Sequence, residues 1–194
     1  MSRREGTLRS PLMSRLGSSL VLACLAAAGC ARSVGPARTT EEARARVGTL
    51  LDSPDAGAAE FAGIGPEAVP ALQAELVDAQ ASDPRRLAAA RALADLPGRA
   101  GLGVLGDAVA SPRLTPALRD AVAEELGSHD REEAVARLEP LLGAADPSVR
   151  GAAARGLGRA GGAAARKSLE DRLEREEDPG VRERLQASLA QAQP

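Results

Sequence analysis

Along this chain a short polar residue precedes a proline five times at nearly constant spacing. The pairs are Ser53-Pro54, Asp83-Pro84, Thr115-Pro116, Asp146-Pro147 and Asp178-Pro179, and successive prolines lie 30, 32, 31 and 32 residues apart. Each pair is a helix start for a physical reason. The Ser, Thr or Asp oxygen accepts one of the backbone N–H groups that a first turn leaves without a partner. Proline in that turn gives up no hydrogen bond, and its fixed φ already suits the helix. Helix starts at a period near 30 residues confine the chain to a stack of short helical units.

The repeat extends beyond its prolines. Arg86, Arg119, Arg150 and Arg182 follow four of them, and seven residues after each comes Leu93, Leu126, Leu157 or Leu189. Three residues after each arginine stands Ala89, Val122, Ala153 or Leu185. Offsets of three and seven share one helix face. Gly127 and Gly158 follow their leucines directly, as suits a helix end. A second amphipathic stretch completes each unit: Val69, Leu72 and Leu76; Leu102, Leu105 and Val109; Val135, Leu138 and Leu141; Ala164, Leu169 and Leu173. Each unit thus reads as helix A, a tight turn and helix B, and neither helix buries enough apolar surface to stand alone. The first unit is the loosest: its Pro54 helix ends at Gly63-Ile64-Gly65, lacks the arginine, and places Phe61 at the leucine position. A lone helix B over 41–51, opened by the capping-box pattern Thr39-x-x-Glu42, and a lone helix A over 179–190 cover the two ends. Ten helices are expected.

The sequence Asp146-Pro147-Ser148-Val149-Arg150 through Leu157-Gly158 resembles the HEAT repeat of the phycobilin-lyase-like type. Asp178-Pro179-Gly180-Val181-Arg182 resembles it in part, and Ile64 to Leu72 looks like that family's A-to-B turn. The resemblance covers roughly 41–192. It implies an all-α fold, a short right-handed α-solenoid of stacked antiparallel helix pairs whose concave face is formed by helices B. It implies little about function, because fold does not fix function. The repeated residues Asp83, Pro84, Arg86, Thr115, Pro116, Arg119, Asp146, Pro147, Arg150, Asp178, Pro179 and Arg182 are read as structural, capping helices and tying neighbouring units. The alternative reading makes the arginines an anion-binding ladder.

Residues 1–29 carry a different signal. Arg3, Arg4, Arg9 and Arg15 precede a nearly uncharged apolar run, Leu16 to Ala28, and then Gly29-Cys30. Basic, apolar and small-residue regions in that order read as a secretory signal peptide, and the apolar run is too short to span a bilayer comfortably. Ala27-Ala28-Gly29-Cys30 resembles the bacterial lipobox, with Ala in place of its usual first Leu. That resemblance implies lipidation of Cys30, and Ala31 after it implies the periplasmic face of the outer membrane; ordinary secretion to the periplasm is the alternative. Without Cys24, removed with the signal, Cys30 has no internal disulfide partner, and a leftover thiol needs an explanation. Residues 30–40 read as the lipidated Cys and a flexible tether.

Removing 1–29 leaves 165 residues with 21 basic and 26 acidic side chains. Residues 41–83 hold nine acids and two bases, whereas 84–194 hold seventeen of each. The acidic end reads as a solvated surface, or as a face for a basic partner including Glu60, Glu67, Glu75 and Asp78. Nucleic acid is not an expected partner: the balance is not basic, and one Phe without Trp or Tyr offers no stacking platform.

Catalytic constellations are absent from the pattern. His129 is the single histidine, whereas a metal site needs several convergent ligands. Ser128 and Asp130 are its chain neighbours, and neighbours rarely reach relay geometry. The run Glu170 to Asp178 reads as a solvated helix face with i,i+4 pairs. The expectation is a non-catalytic protein–protein interaction scaffold of the bacterial cell envelope, without a cofactor, anchored to the membrane through its N-terminal lipid and bound to another envelope protein. The alternative is a small-ligand or tetrapyrrole-handling protein related in fold to the bilin lyases.

Overall fold

A computed structural model describes residues 35–37, 39–53 and 55–192. The signal segment 1–29, Cys30 and Pro54 lie outside the described residues. Among the described residues there are ten α-helices, one short 3-10 turn and no strand. The fold is an all-α solenoid of paired helices.

Helix α1 (Thr40–Leu51) is the lone first helix B. Thr39 caps it, its hydroxyl accepting from the N–H of Glu42 at 3.1 Å. Then come the pairs α2 (Ala58–Ala62) and α3 (Ala68–Val77), α4 (Asp83–Asp95) and α5 (Ala100–Val109), α6 (Pro116–His129) and α7 (Arg131–Leu138), and α8 (Pro147–Ala160) and α9 (Gly162–Leu173), before the single helix α10 (Pro179–Gln191). Three of the polar residues cap as their chemistry dictates. Thr115 accepts from the N–H of Leu118 at 3.3 Å, Asp146 from Ser148 at 2.8 Å, and Asp178 from Val181 at 3.0 Å.

The structure departs from the sequence pattern in several places, each for a local reason. Asp83 does not cap; Ser82 holds that position without a side-chain bond. The Asp83 carboxylate instead accepts from Arg86 at 3.2 Å and from the Thr115 hydroxyl of the next unit at 3.0 Å. Helix α2 starts later than Ser53-Pro54 implies, because Glu60 accepts from the N–H of Gly57 at 3.0 Å and closes the first turn there. The third helix B stops at Leu138, since Pro140 has no N–H to continue it. A 3-10 turn, Pro140–Gly143, follows and buries Leu142 rather than Leu141. In α9, Ala165 is buried and Ala164 exposed, so Ala165 and Leu169 form the apolar row.

Gly127 and Gly158 do not end helices; α6 and α8 run past them. They lie where helices A meet. A Cβ on Gly127 would stand 2.2 Å from the carbonyl oxygen of Gly156, and one on Gly158 would stand 2.9 Å from the Ser188 backbone. Glycine therefore sets how closely α6, α8 and α10 approach. The leucines and the residues three after each arginine fill the space behind: Leu93, Leu126, Leu157, Ala89, Val122, Ala153 and Leu185 are fully buried. Each such leucine contributes about 1.5–3 kcal/mol of burial. Leu189, on the last described helix, is only partly covered.

Residues 35–37, read from the sequence as part of a flexible tether, lie on the domain. The N–H of Ala37 donates to the carbonyl of Ile64 at 2.8 Å, and Arg46 donates to the carbonyl of Gly35 at 2.6 Å. Positive φ at Gly65 (89°) makes room there, a Cβ being only 3.0 Å from Pro36.

The two sides of the stack differ. Helices A pack against one another in the order α4, α6, α8, α10, and α8 is buried along most of its length. Arg184 on α10 reaches over Gly151 of α8 to Asp120 on α6, donating to both carboxylate oxygens at 3.0 and 3.1 Å.

Candidate functional site

The repeated arginines form a ladder inside the stack. Arg86 is 3% exposed; it donates to the carbonyl of Leu76 at the end of α3 (2.9 Å) and to the carbonyl of Arg113 in the next unit (2.6 Å). Arg119 donates to the carbonyl of Ser111 at 2.9 Å and to the Ser148 hydroxyl of the next unit. Arg150 donates to the carbonyls of Ala144 (2.9 Å) and Ala145 (3.0 Å), and as a fork to both oxygens of Glu176 (2.8 and 2.9 Å). Arg182 donates to the carbonyls of Leu173 and Glu176, each at 2.9 Å. Every rung satisfies carbonyls in the last turn of a helix B or just after it, and the first three also reach into the segment that opens the following unit. A guanidinium suits this task because its five donors stay charged and fixed in a plane. Arg86, Arg119 and Arg150 are buried on these internal acceptors, and Arg182 is half-buried. One donor, Arg119 Nε, is buried without a partner.

Glu176 is the residue that the sequence pattern misplaces. It sits in the acidic run read as a solvated helix, yet α9 ends at Leu173 and Glu176 is 4% exposed. The fork from Arg150 lowers its pKa to about 2, against the opposing cost of burial; Arg172 (2.6 Å) and the N–H of Asp178 (3.0 Å) add to the lowering. In the other units backbone carbonyls and Ser148 take the place of this carboxylate, so no repeat marks it in the sequence.

The helix A side carries an open polar groove of about 350 Å³, walled by α4, α6, α8 and α10. Leu87 and Ala121 lie in its wall among Arg91, Glu124, Arg159 and Gln191. Ion pairs cross between its helices: Arg91 to Glu125 at 3.6 Å, and Arg155 to Glu124 at 3.0 Å and to Asp120 at 3.6 Å. A second hollow of about 410 Å³ lies beside it where α2 is short, with Leu50, Leu51, Phe61 and Ala92 in its lining. Arg91 borders both.

His129 ends α6 at the edge of this side. Its Nδ1 lies 2.8 Å from the carbonyl oxygen of Glu125, and its Nε2 lies 3.0 Å from Asp95 on α4. Burial alone would lower its pKa; the Glu125 carbonyl and the Asp95 carboxylate outweigh burial and raise it above the usual histidine value. Ser128 Oγ lies 3.5 Å from His129 Nδ1 and donates to the Glu125 carbonyl at 2.9 Å, and Asp130 caps α7 by accepting from Glu133 at 3.0 Å, so the carboxylate hydrogen-bonded to the ring is that of Asp95 and not of Asp130. Among the described residues no group of three or more His, Cys, Asp or Glu is placed to hold a metal ion.

The acidic side chains of the first third are largely engaged locally. Glu60 accepts from Gly57, Glu67 from Thr40 at 3.0 Å, Glu75 from Arg85 at 2.8 Å, and Asp78 from Gln80 at 2.9 Å. Glu60 and Asp78 stay exposed and Glu67 is half-buried, and among the described residues Glu75 alone of the four is ion-paired, with Arg85.

Comparison with known proteins agrees with this architecture. Residues 110–190 match the family model described as HEAT repeats, and the fold class is that of a HEAT-type α-solenoid. Two solved structures are similar to the chain. One is the complex of CpcE and CpcF of phycocyanin lyase from Nostoc sp. PCC7120, at 25% identity and a TM-score of 0.49, covering 74% of this chain and 98% of that chain. The other is an engineered protein, at 22% identity and a TM-score of 0.40, covering 79% of this chain and 72% of that chain. No curated protein matches the sequence.

Proposed function

We propose that this protein is a non-catalytic interaction scaffold, tethered in the bacterial cell envelope through a lipid on Cys30, that holds a protein partner on its helix A side. The observation that carries the reading is the open groove shared by α4, α6, α8 and α10. Four successive units contribute to it, which is how a solenoid builds an extended binding surface. Its charges already pair across helices, so the walls stand preorganised and a partner meets little ordering cost. Leu87 and Ala121 give it apolar ground between those charges.

Affinity capture from cross-linked native envelopes tests the scaffold. The parent is expected to recover one protein in near-stoichiometric amount. Ala121→Arg, which fills the groove, should lose it, while Ala163→Arg on exposed α9 should keep it. Recovery of the chain alone from the parent would remove the scaffold reading; equal capture by both variants would remove the helix A side. The anchor is tested separately. Cys30→Ala is expected to move the protein from the membrane to the soluble envelope fraction, because each buried acyl CH₂ contributes about 0.8 kcal/mol of membrane affinity. A variant that still sediments with membranes refutes lipidation at Cys30.

A further inference from the structure

A histidine ring with a hydrogen-bond acceptor at each nitrogen is satisfied in one protonation state alone. The neutral ring carries one N–H and the imidazolium two. His129 is such a ring, with the Glu125 carbonyl at 2.8 Å from Nδ1 and Asp95 at 3.0 Å from Nε2; the Ser128 hydroxyl, 3.5 Å from Nδ1, gives its proton to the same Glu125 carbonyl at 2.9 Å. Asp95 is the last residue of α4 and His129 the last of α6, so the bond to Asp95 joins the ends of two adjacent helices A. We propose that His129 is a pH-dependent clamp between α4 and α6, closed when the ring is an imidazolium and released when it is neutral.

The surrounding charges favour the closed form. From α4, the Asp95 carboxylate faces Nε2 directly. From α6, the Glu125 carboxylate lies 3.8 Å from Nδ1. Arg91 on α4 sits 3.6 Å from Glu125 and draws off part of that attraction. Glu124 is turned to Arg155, and Arg159 on α8 lines the same groove as Ser128. Arg99, beyond the end of α4, is occupied by Asp130, Glu132 and Glu133 at 3.5 to 3.7 Å. On losing a proton the ring turns a bare lone pair toward one of its two acceptors, and that contact becomes repulsive. The sign follows: a group bound more tightly as its acid stabilises the fold below its unfolded pKa of about 6.5 and loses that contribution as the pH rises through the higher folded value. Glu125 and Ser128 lie in the groove wall, so release loosens the groove at its α4–α6 end.

Because the chain has one histidine, its ring resonances in the nuclear magnetic resonance spectrum of the full chain need no assignment by mutation. The expected midpoint lies above about 6.5, and Asp95→Asn lowers it. Amide protection at the ends of α4 and α6, corrected for the intrinsic rate, should fall as the pH passes the midpoint in the parent and stay level in His129→Gln. A parent midpoint at or below the ordinary value, a midpoint that Asp95→Asn leaves unmoved, or a pH-dependent protection that survives in His129→Gln overturns the clamp.

Discussion

Glu176 accepts hydrogen bonds from Arg150, Arg172 and the backbone N–H of Asp178, and is almost wholly withdrawn from solvent. Its carboxyl titrates near 2 rather than at the ordinary 4.5. A carboxylate held more tightly in the fold contributes stability above its unfolded pKa and loses it as the pH falls from there through its folded one. Here the contribution is on the order of 3 kcal/mol at neutral pH, and it is withdrawn between about pH 4.5 and 2. Glu176→Gln should therefore lower the denaturant-derived stability by about 3 kcal/mol at pH 7, since it leaves Arg150 buried and half satisfied. The same variant should show a flatter decline in acid than the parent. Equal stability at pH 7 would mean that the ion pair and its desolvation cancel. The sequence hides this residue for a physical reason. Its partner lies far along the chain, its neighbours are solvated acids, and no other unit uses a carboxylate there. The repeating arginines, in contrast, are legible from spacing, although their acceptors are backbone carbonyls that no side-chain pattern records.

At the scale of the element, what could be read was local chemistry. Thr115, Asp146 and Asp178 cap because the oxygen and the orphan N–H are two or three residues apart, and the burial of Leu93, Leu126 and Leu157 follows from one helical face. Helix lengths were less legible, because Gly127 and Gly158 answer to the neighbouring helix and not to their own. That distinction is testable. In a helix interior Gly→Ala ordinarily gains about 1 kcal/mol. At Gly127 the new methyl meets the backbone of Gly156, which cannot rotate away, and overpacking of this kind costs about 1–3 kcal/mol. Gly127→Ala should lower the thermal midpoint, the more so because α6 and α8 must separate to admit it. Gly48→Ala in α1, where the nearest atom is the end of the Arg85 side chain at 3.4 Å, should leave the midpoint unchanged or raise it. A stable Gly127→Ala would show that the A helices have slack. The hollow beside α2 has the same origin: an A helix of five residues leaves Phe61 and Ala92 at the floor of a gap that a longer helix would fill.

At the scale of the molecule, the stack and the count of its described helices were legible, and how closely its units approach was not. That approach is set by glycines at helix crossings and by long side chains that bridge units. The Arg184–Asp120 pair is one such bridge, partly exposed and so contributing about 0.5–1 kcal/mol. Repeat arrays are ordinarily described as one-dimensional chains in which a unit senses only the next. The last described helix, α10, senses the next unit through its packing on α8. With this bridge it also senses the unit after next, and detaching it breaks a tie to α6 as well as that packing. Arg184→Ala should raise the opening of α10 about 2- to 5-fold in native-state hydrogen exchange, with α6 little changed. Equal opening in variant and parent would leave the array strictly nearest-neighbour. A second-neighbour term lengthens the correlation along the array, so the described units melt in fewer, larger steps than their number implies.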